Sequence, residues 1–252
     1  MKRIKNTSAN QRSYWNELAG EYQRATRIRK LDFHYGPCLA GEKKLKILPK
    51  LKKGMRALEL GCGAAQNSFW LAGKGLKCTA LDVSEEQLAH ASGIGVALFR
   101  SEIETFPRIV GNTKFHLIHS AHAFEFLENP GRVIASCRDA LVKGGWLMVS
   151  TVHPVYNGDW VMDDSGVGGR FLTNYFNPVD DVRDDYGDVR ICSRAWPVET
   201  WFRWFREAGF ELCDLREPPA DPDPAYTSDA WADDDGESKV IPTTIIFLAR
   251  KR

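Results

Sequence analysis

Apolar positions along this chain change period as the chain proceeds. Near the N-terminus Tyr14, Trp15, Leu18 and Tyr22 fall on one helical face, which predicts a helix over residues 13–30. Gly36 and Pro37 break the pattern. Residues 41–51 predict a second amphipathic helix ending near Lys53 and Gly54, because Leu45, Ile47, Leu48 and Leu51 interleave with lysines. From Met55 the period shortens. "MRALEL" is a short apolar run before a glycine and predicts a buried strand. Residues 65–74 predict a helix closed by Gly75. "KCTALDVS" predicts the second strand, and Ser84 is placed to cap the following helix with Gln87 at the third position of a capping box. "GVALFRSE", "FHLIHSA" and "WLMVSTV" predict the third to fifth strands, and a helix over residues 129–142 stops at Gly144 and Gly145. Strict strand–helix alternation predicts an α/β fold, a doubly wound, mostly parallel sheet with helices on both faces.

After Val152 the rhythm fails. Residues 153–195 carry turn signals, aromatics and acids with little periodicity, and read as an insertion after strand five. "PVETWFRWFREAG" resumes as a helix with Pro197 at its start and Gly209 at its end. "FELCDLREP" and "IPTTIIFLARKR" predict two closing strands, for seven in all. The Pro/Asp-rich stretch 218–238 between them reads as a surface loop. The expected organisation is one domain over residues 1–252: a helical cap (1–53), a cofactor-binding core (54–152), a substrate lid (153–195) and a closing helix and strands (196–252).

The length of 252 residues and 43% hydrophobic content suffice for one sizeable core. Charge adds an exclusion: 34 basic against 33 acidic side chains leave a net charge of +1, without the basic excess of a nucleic-acid-binding protein. The lysine run between Lys43 and Lys53 reads as the solvated face of the second helix. Cys38, Cys62, Cys78, Cys137, Cys192 and Cys213 lie far apart, with neither zinc-site nor CxxC spacing. They read as free thiols of a reducing compartment. The N-terminus lacks the apolar segment of a secretory signal, and no apolar run approaches the ~18 residues of a membrane span. The expectation is a cytoplasmic protein with no metal, no membrane contact and no nucleic-acid partner, able to form a homodimer.

The stretch "ALELGCGAAQNSFWLAGKGLKCTALDVS" carries the chemistry. Gly61 and Gly63 follow a strand directly, and Asp82 ends the next strand 19 residues later, a spacing that suits a ribose. The dinucleotide fingerprint places a third glycine where this chain has Gln66. Glu59 stands two residues before Gly61. A carboxylate there repels a pyrophosphate and attracts an α-amino group. The cofactor that fits has a ribose and an ammonium group but no phosphate, as S-adenosylmethionine does.

In these residues the chain resembles the class I S-adenosylmethionine-dependent methyltransferases, in their small-molecule branch. "LELGCGAAQNS" resembles the family's first motif, with Ala65 in place of its last glycine and a positive φ there disfavoured. "ALDVSEEQLAHA", "LFRSEIETFP", "FHLIHSAHAFEFLENP" and "LVKGGWLMVSTVHP" resemble the second to fifth. The resemblance covers roughly residues 14–152 and the closing strands. It implies a Rossmann-like seven-stranded sheet. It also implies that Glu102 meets the adenine amino group and that the Ile103 N–H meets the adenine ring. Val83 and Ser120 complete the cofactor set, and S-adenosylhomocysteine is the implied product. Members of the family act on metabolites and natural products. The Asn/Asp-Pro-Pro-Tyr-like motif of enzymes that modify base or glutamine amides is replaced here by "HSAHAF", which favours a small-molecule acceptor over tRNA or protein. The intact Glu59, Gly61, Gly63 and Asp82 weigh against a non-catalytic binding protein.

Methyl transfer requires alignment of the acceptor and exclusion of water, and a base only where the acceptor holds its proton tightly. His153, where the fifth strand meets the insertion, is the first candidate base, and His122, after the fourth strand, the second. His119 reads as structural. His34 and Tyr35 are placed to fold over the cofactor. The candidate substrate contacts are Tyr35 and, within the insertion that also carries Trp160, Phe171 and Tyr186, Tyr156, Tyr175 and Phe176. The acids Asp180, Asp181, Asp184 and Asp185, and the stretch Asp233–Glu237, read as solvated loop rather than metal ligands. The acceptor atom, O, N or C, stays open.

Overall fold

The computed structural model describes residues 5–178, 180–183, 189–228 and 237–252. Asp184, Asp185, Tyr186 and residues 233–236 therefore lie outside the described residues. In chain order the elements are α1 (Ser8–Ala25), β1 (Thr26–Ile28), α2 (Glu42–Leu45), β2 (Arg56–Leu60), α3 (Gln66–Gly73), β3 (Lys77–Asp82), α4 (Glu85–Ala89), β4 (Val96–Arg100), α5 (Phe106–Val110) and β5 (Phe115–Ala121). They continue with α6 (Pro130–Ala140), β6 (Leu141–Val152), β7 (Asp159–Met162), β8 (Gly168–Phe171), β9 (Asp181–Arg183), β10 (Ile191–Ser193), α7 (Val198–Glu207), β11 (Phe210–Arg216), β12 (Tyr226–Ser228) and β13 (Thr244–Lys251).

Seven strands form the central sheet, in the order β11-β13-β6-β5-β2-β3-β4. Only β13 runs antiparallel to its neighbours. The chain order runs outward from β2 in one direction and from β5 in the other, so the β2–β5 boundary is the topological switch point where open α/β sheets bind ligands. Each face of the sheet carries its own core. Leu58, Ile118, Phe247, Trp201 and Phe205 pack on one side. Ala57, Leu117, Ile246 and Leu248 turn to the other, against Phe33, Tyr35 and Leu71. Neighbouring residues of a strand face opposite ways, so strands buried on both faces read as continuous apolar runs. Each fully buried large side chain contributes about 1.5–3 kcal/mol.

Several boundaries differ from the periodicity. The first helix begins earlier, at Ser8, where the Thr7 hydroxyl accepts from the Asn10 N–H at 3.2 Å. It ends at Ala25, because Thr26–Ile28 pair with β12, inside the stretch expected as a surface loop. The second helix is a single turn. The Glu42 carboxylate folds back to accept from the Ile47 and Leu48 N–H groups at 2.9 and 3.2 Å, and Lys46 turns left-handed at φ 53°. The insertion holds the hairpin β7–β8 and the pair β9–β10. All six cysteines are free.

Candidate active site

The turn after β2 builds the floor of a cleft. Gly61 and Gly63 adopt φ of 70° and 51°, open to glycine without steric cost. A Cβ on Gly61 would stand 2.4 Å from that of Ala123, so the glycine lets the loop after β5 close against the loop after β2. Ala65 also takes the left-handed conformation, at φ 58°. That corrects the expectation drawn from its methyl group: the turn imposes the conformation and Ala65 is fully buried within it. Asp82 holds the turn from β3. One carboxylate oxygen accepts from the Gly63 N–H at 2.7 Å and the other from the Ser84 N–H at 3.0 Å.

The cleft opens at the carboxyl ends of β2, β3 and β5, with about 970 Å³ of empty space. Glu59, Gly61, Gly63, Asp82, Val83, Glu102, Ile103 and His122 line it. Ser120 does not. It is fully buried, and its hydroxyl donates to the Leu60 carbonyl at 2.7 Å, tying β5 to β2. Glu59 is 3% exposed, and its Oε2 accepts from both the Ser68 hydroxyl (2.5 Å) and the Ser68 N–H (3.1 Å). Burial pushes its carboxyl up to about 8, against the pull of the Ser68 bonds.

The roof comes from the expected N-terminal cap together with Tyr226, which lies in the stretch expected as a surface loop. Trp15, Tyr22 and Gln23 of α1 and Tyr226 of β12 cover the cleft. No local pattern marks Tyr226. Gln23 donates to Gln87 at 2.8 Å, and the Ser84 hydroxyl bonds Asn16 Oδ1 at 2.7 Å, which fixes α1 over α4. His34 lines the cleft with its ring edge-on to Tyr226 at 5.3 Å. Burial and nearby His122 push it down to about 3. Asn67 in α3 grips the His34 backbone from both sides, at 2.9 and 3.0 Å.

His122 sits where two cavities meet. Its backbone is left-handed at φ 53° and its N–H bonds the Ser150 carbonyl. The ring lies 3.1 Å from Glu125 Oε1 and 3.0 Å from the Thr244 hydroxyl, and Thr151 donates to the other Glu125 oxygen. A second cavity, of about 1190 Å³, lies between α1 and β9 and is lined by Tyr14, Leu18, Glu125, Val182 and Arg183. Trp15, Tyr22, His122, Phe126 and Tyr226 line both. The Tyr22 and Tyr226 hydroxyls share a hydrogen bond of 2.5 Å at this junction.

A family model described as a methyltransferase domain matches residues 33–215. The chain belongs to this methyltransferase family. Its curated relatives include a ubiquinone biosynthesis O-methyltransferase from Glaesserella parasuis, 28% identical over 109 residues that cover 40% of this chain and 46% of the relative. One from Burkholderia cenocepacia is 31% identical over 106 residues, covering 40% and 45%. The match thus spans less than half the length of these relatives. Among solved structures, an S-adenosylmethionine-dependent methyltransferase from Mesorhizobium loti superposes with a TM-score of 0.65 at 22% identity, over 82% of this chain and 94% of its own. The glycopeptide N-methyltransferase MtfA, solved with S-adenosylmethionine, gives 0.53 at 16% identity, over 84% and 92%. The fold is that of enzymes that use S-adenosylmethionine as cofactor.

The cleft of the methyltransferase fits that group. Glu59 Oε1 has no hydrogen bond among the described residues and would be the acceptor for an ammonium. Asp82, Glu102 and Ile103 line the same cleft and would hold the ribose and adenine that the motifs imply. The remaining candidates lie outside both cavities. His153 is 4% exposed; its Nδ1 accepts from the Val155 N–H at 3.1 Å and its Nε2 bonds Glu217 at 2.7 Å. Tyr35 is fully buried under the sheet, its hydroxyl on Glu42. The Tyr156 ring carries the Arg170 guanidinium at 4.0 Å. Tyr175 accepts from the Val198 N–H at 3.4 Å, and Phe176 is 86% exposed.

Proposed function

We propose that the protein transfers the methyl group of S-adenosylmethionine to an O, N or C atom of a small, mainly apolar molecule held in the second cavity, a metabolite or natural product of the cytoplasm. The observation that carries this reading is the pair of cavities sharing one wall of aromatic rings and His122. When bound, the cofactor supplies an electrophilic methyl group on a sulfonium. Trp15, Tyr22, Phe126 and Tyr226 would orient a flat acceptor and keep water from the junction. His122, held by Glu125 at Nδ1, lines both cavities and would take a proton from the acceptor at Nε2 in exchange for its Thr244 bond; His153 lines neither. The ubiquinone biosynthesis O-methyltransferases among the relatives agree with a small-molecule acceptor.

The test is transfer of labelled methyl groups from S-adenosylmethionine into a small-molecule extract, beside RNA and protein fractions. Leu18 lines only the second cavity, so Leu18→Trp should cut transfer roughly tenfold or more, the scale at which pockets discriminate added bulk. Affinity for S-adenosylhomocysteine should stay unchanged. Label in the macromolecular fractions, or full transfer by Leu18→Trp, refutes the reading.

A further inference from the structure

Glu59 and His119 stand directly opposite each other on the paired parallel strands β2 and β5. His119 is fully buried, and neither ring nitrogen has a hydrogen-bond partner. Its ring packs edge-on against Phe33 at 5.2 Å. An apolar side chain would fill that place at lower cost, since a buried polar group without a partner forfeits its hydration. The nearest charge-bearing atom is informative: His119 Nδ1 lies 3.9 Å from Glu59 Oε1. Ser68 occupies Oε2 alone and leaves Oε1 to whatever enters the cleft.

We propose that His119 is a positioning residue for the cofactor: when the ammonium group ionises Glu59, the neutral His119 Nδ1–H closes on Oε1 and holds the carboxylate toward the cleft. The proposal rests on the cleft's being the cofactor site. Proton balance is simple. Glu59 gives its proton to solvent, and His119 stays neutral and supplies a hydrogen bond.

The surroundings of both groups agree. Glu59 is faced by Ser68 from α3, by Asp82 and the Cys78 thiol from β3, by the Cys62 thiol from the glycine turn, and by His119 from β5. No cation among these stabilises its charge before the cofactor arrives. His119 is faced by Glu59 and by His34, and burial first, then His34, pushes it down to about 3. The cofactor-free protein therefore holds a neutral acid beside a neutral base, too far apart to bond. Arrival of a cation makes the carboxylate, and a carboxylate needs the second donor.

Calorimetry with S-adenosylhomocysteine, which keeps the ammonium, tests this across pH 6–9. Wild-type affinity should rise with pH up to about 8, where Glu59 ionises unaided. His119→Met should weaken binding about tenfold, the loss of one hydrogen bond to a charge, and move the midpoint to higher pH. His119→Gln, which restores an N–H, should recover both. Melting of the cofactor-free protein gives a readout without ligand: the alkaline limb of its stability should shift upward in His119→Met. An unchanged affinity and midpoint in His119→Met overturns the proposal. If the variants do not fold, nitrogen NMR of wild-type His119 decides it. Its Nδ1–H resonance should move when S-adenosylhomocysteine is added, and a fixed resonance overturns the proposal. A wild type that binds no S-adenosylhomocysteine sinks the cofactor reading and this one with it; binding with none of these signatures sinks this one alone.

Discussion

Asp82 holds the turn and, on the proposed reading, would hold the ligand too. Both its oxygens hold backbone N–H groups, of Gly63 and Ser84, and its exposed edge lines the cleft. Removing the carboxylate thus touches folding and binding together. Asp82→Ala is expected to weaken S-adenosylhomocysteine binding by about 1.5–3 kcal/mol, as for lost hydrogen bonds to a charge. It should also lower unfolding stability, because two buried donors lose their acceptor, at ~1–3 kcal/mol each. Asp82→Asn keeps one carbonyl acceptor and should fall between. Calorimetry and urea unfolding of the two variants separate the effects; full stability in Asp82→Ala would show that solvent replaces the carboxylate at the turn.

Elements were legible where chemistry and period coincide within a few residues. The glycine turn, the acid ending β3 and the seven strands follow from local spacing and short apolar runs. The cap was expected over the site, but its phase and the part of the roof from Tyr226 did not follow, because they depend on which distant segments meet. In the extended run after Asp32, neighbouring side chains face opposite ways: Tyr35 enters the core and His34 the cleft, and tertiary contacts, among them that with Asn67, set that phase. Tyr226 lies in a Pro/Asp-rich stretch whose strand character comes from pairing with β1. Tyr156 packs on Arg170 and Tyr175 bonds the start of α7, while among the described residues β9 brings the insertion to the second cavity. Asn67 is thus the residue through which α3 phases the cap. Asn67→Ala should destabilise the protein by about 1–3 kcal/mol in urea unfolding, for buried backbone groups left unpaired, and speed exchange of the His34 amide. Unaltered exchange at His34 would mean that the Tyr226 and Phe33 contacts fix the segment without Asn67.

At the scale of the whole molecule, three buried groups shape the dependence of stability on pH. His34 and His119 are both pushed down to about 3, while the unfolded chain protonates them near 6.5. Between those values the unfolded state binds two more protons than the native state, so stability rises with pH. Glu59 acts in the opposite sense. Its native carboxyl keeps a proton up to about 8, and the unfolded one loses it near 4.5, so its contribution falls as pH rises through that window. The contribution of the three groups climbs from pH 3 to 4.5 by two protons and from 4.5 to 6.5 by one. It then declines toward pH 8 by one, at about 1.4 kcal/mol per unit and proton. Cofactor-free protein is therefore expected to melt highest near pH 6.5. On the proposed placement, S-adenosylhomocysteine would set an ammonium beside Glu59 and favour its ionised form, so the ligand's stabilisation should grow from pH 6.5 to 8. Glu59→Gln removes the titrating group, and its melting temperature should be flat over that interval with or without ligand. A decline above pH 6.5 that persists unchanged in Glu59→Gln would assign the alkaline limb to other groups and leave Glu59 ionised in the empty cleft.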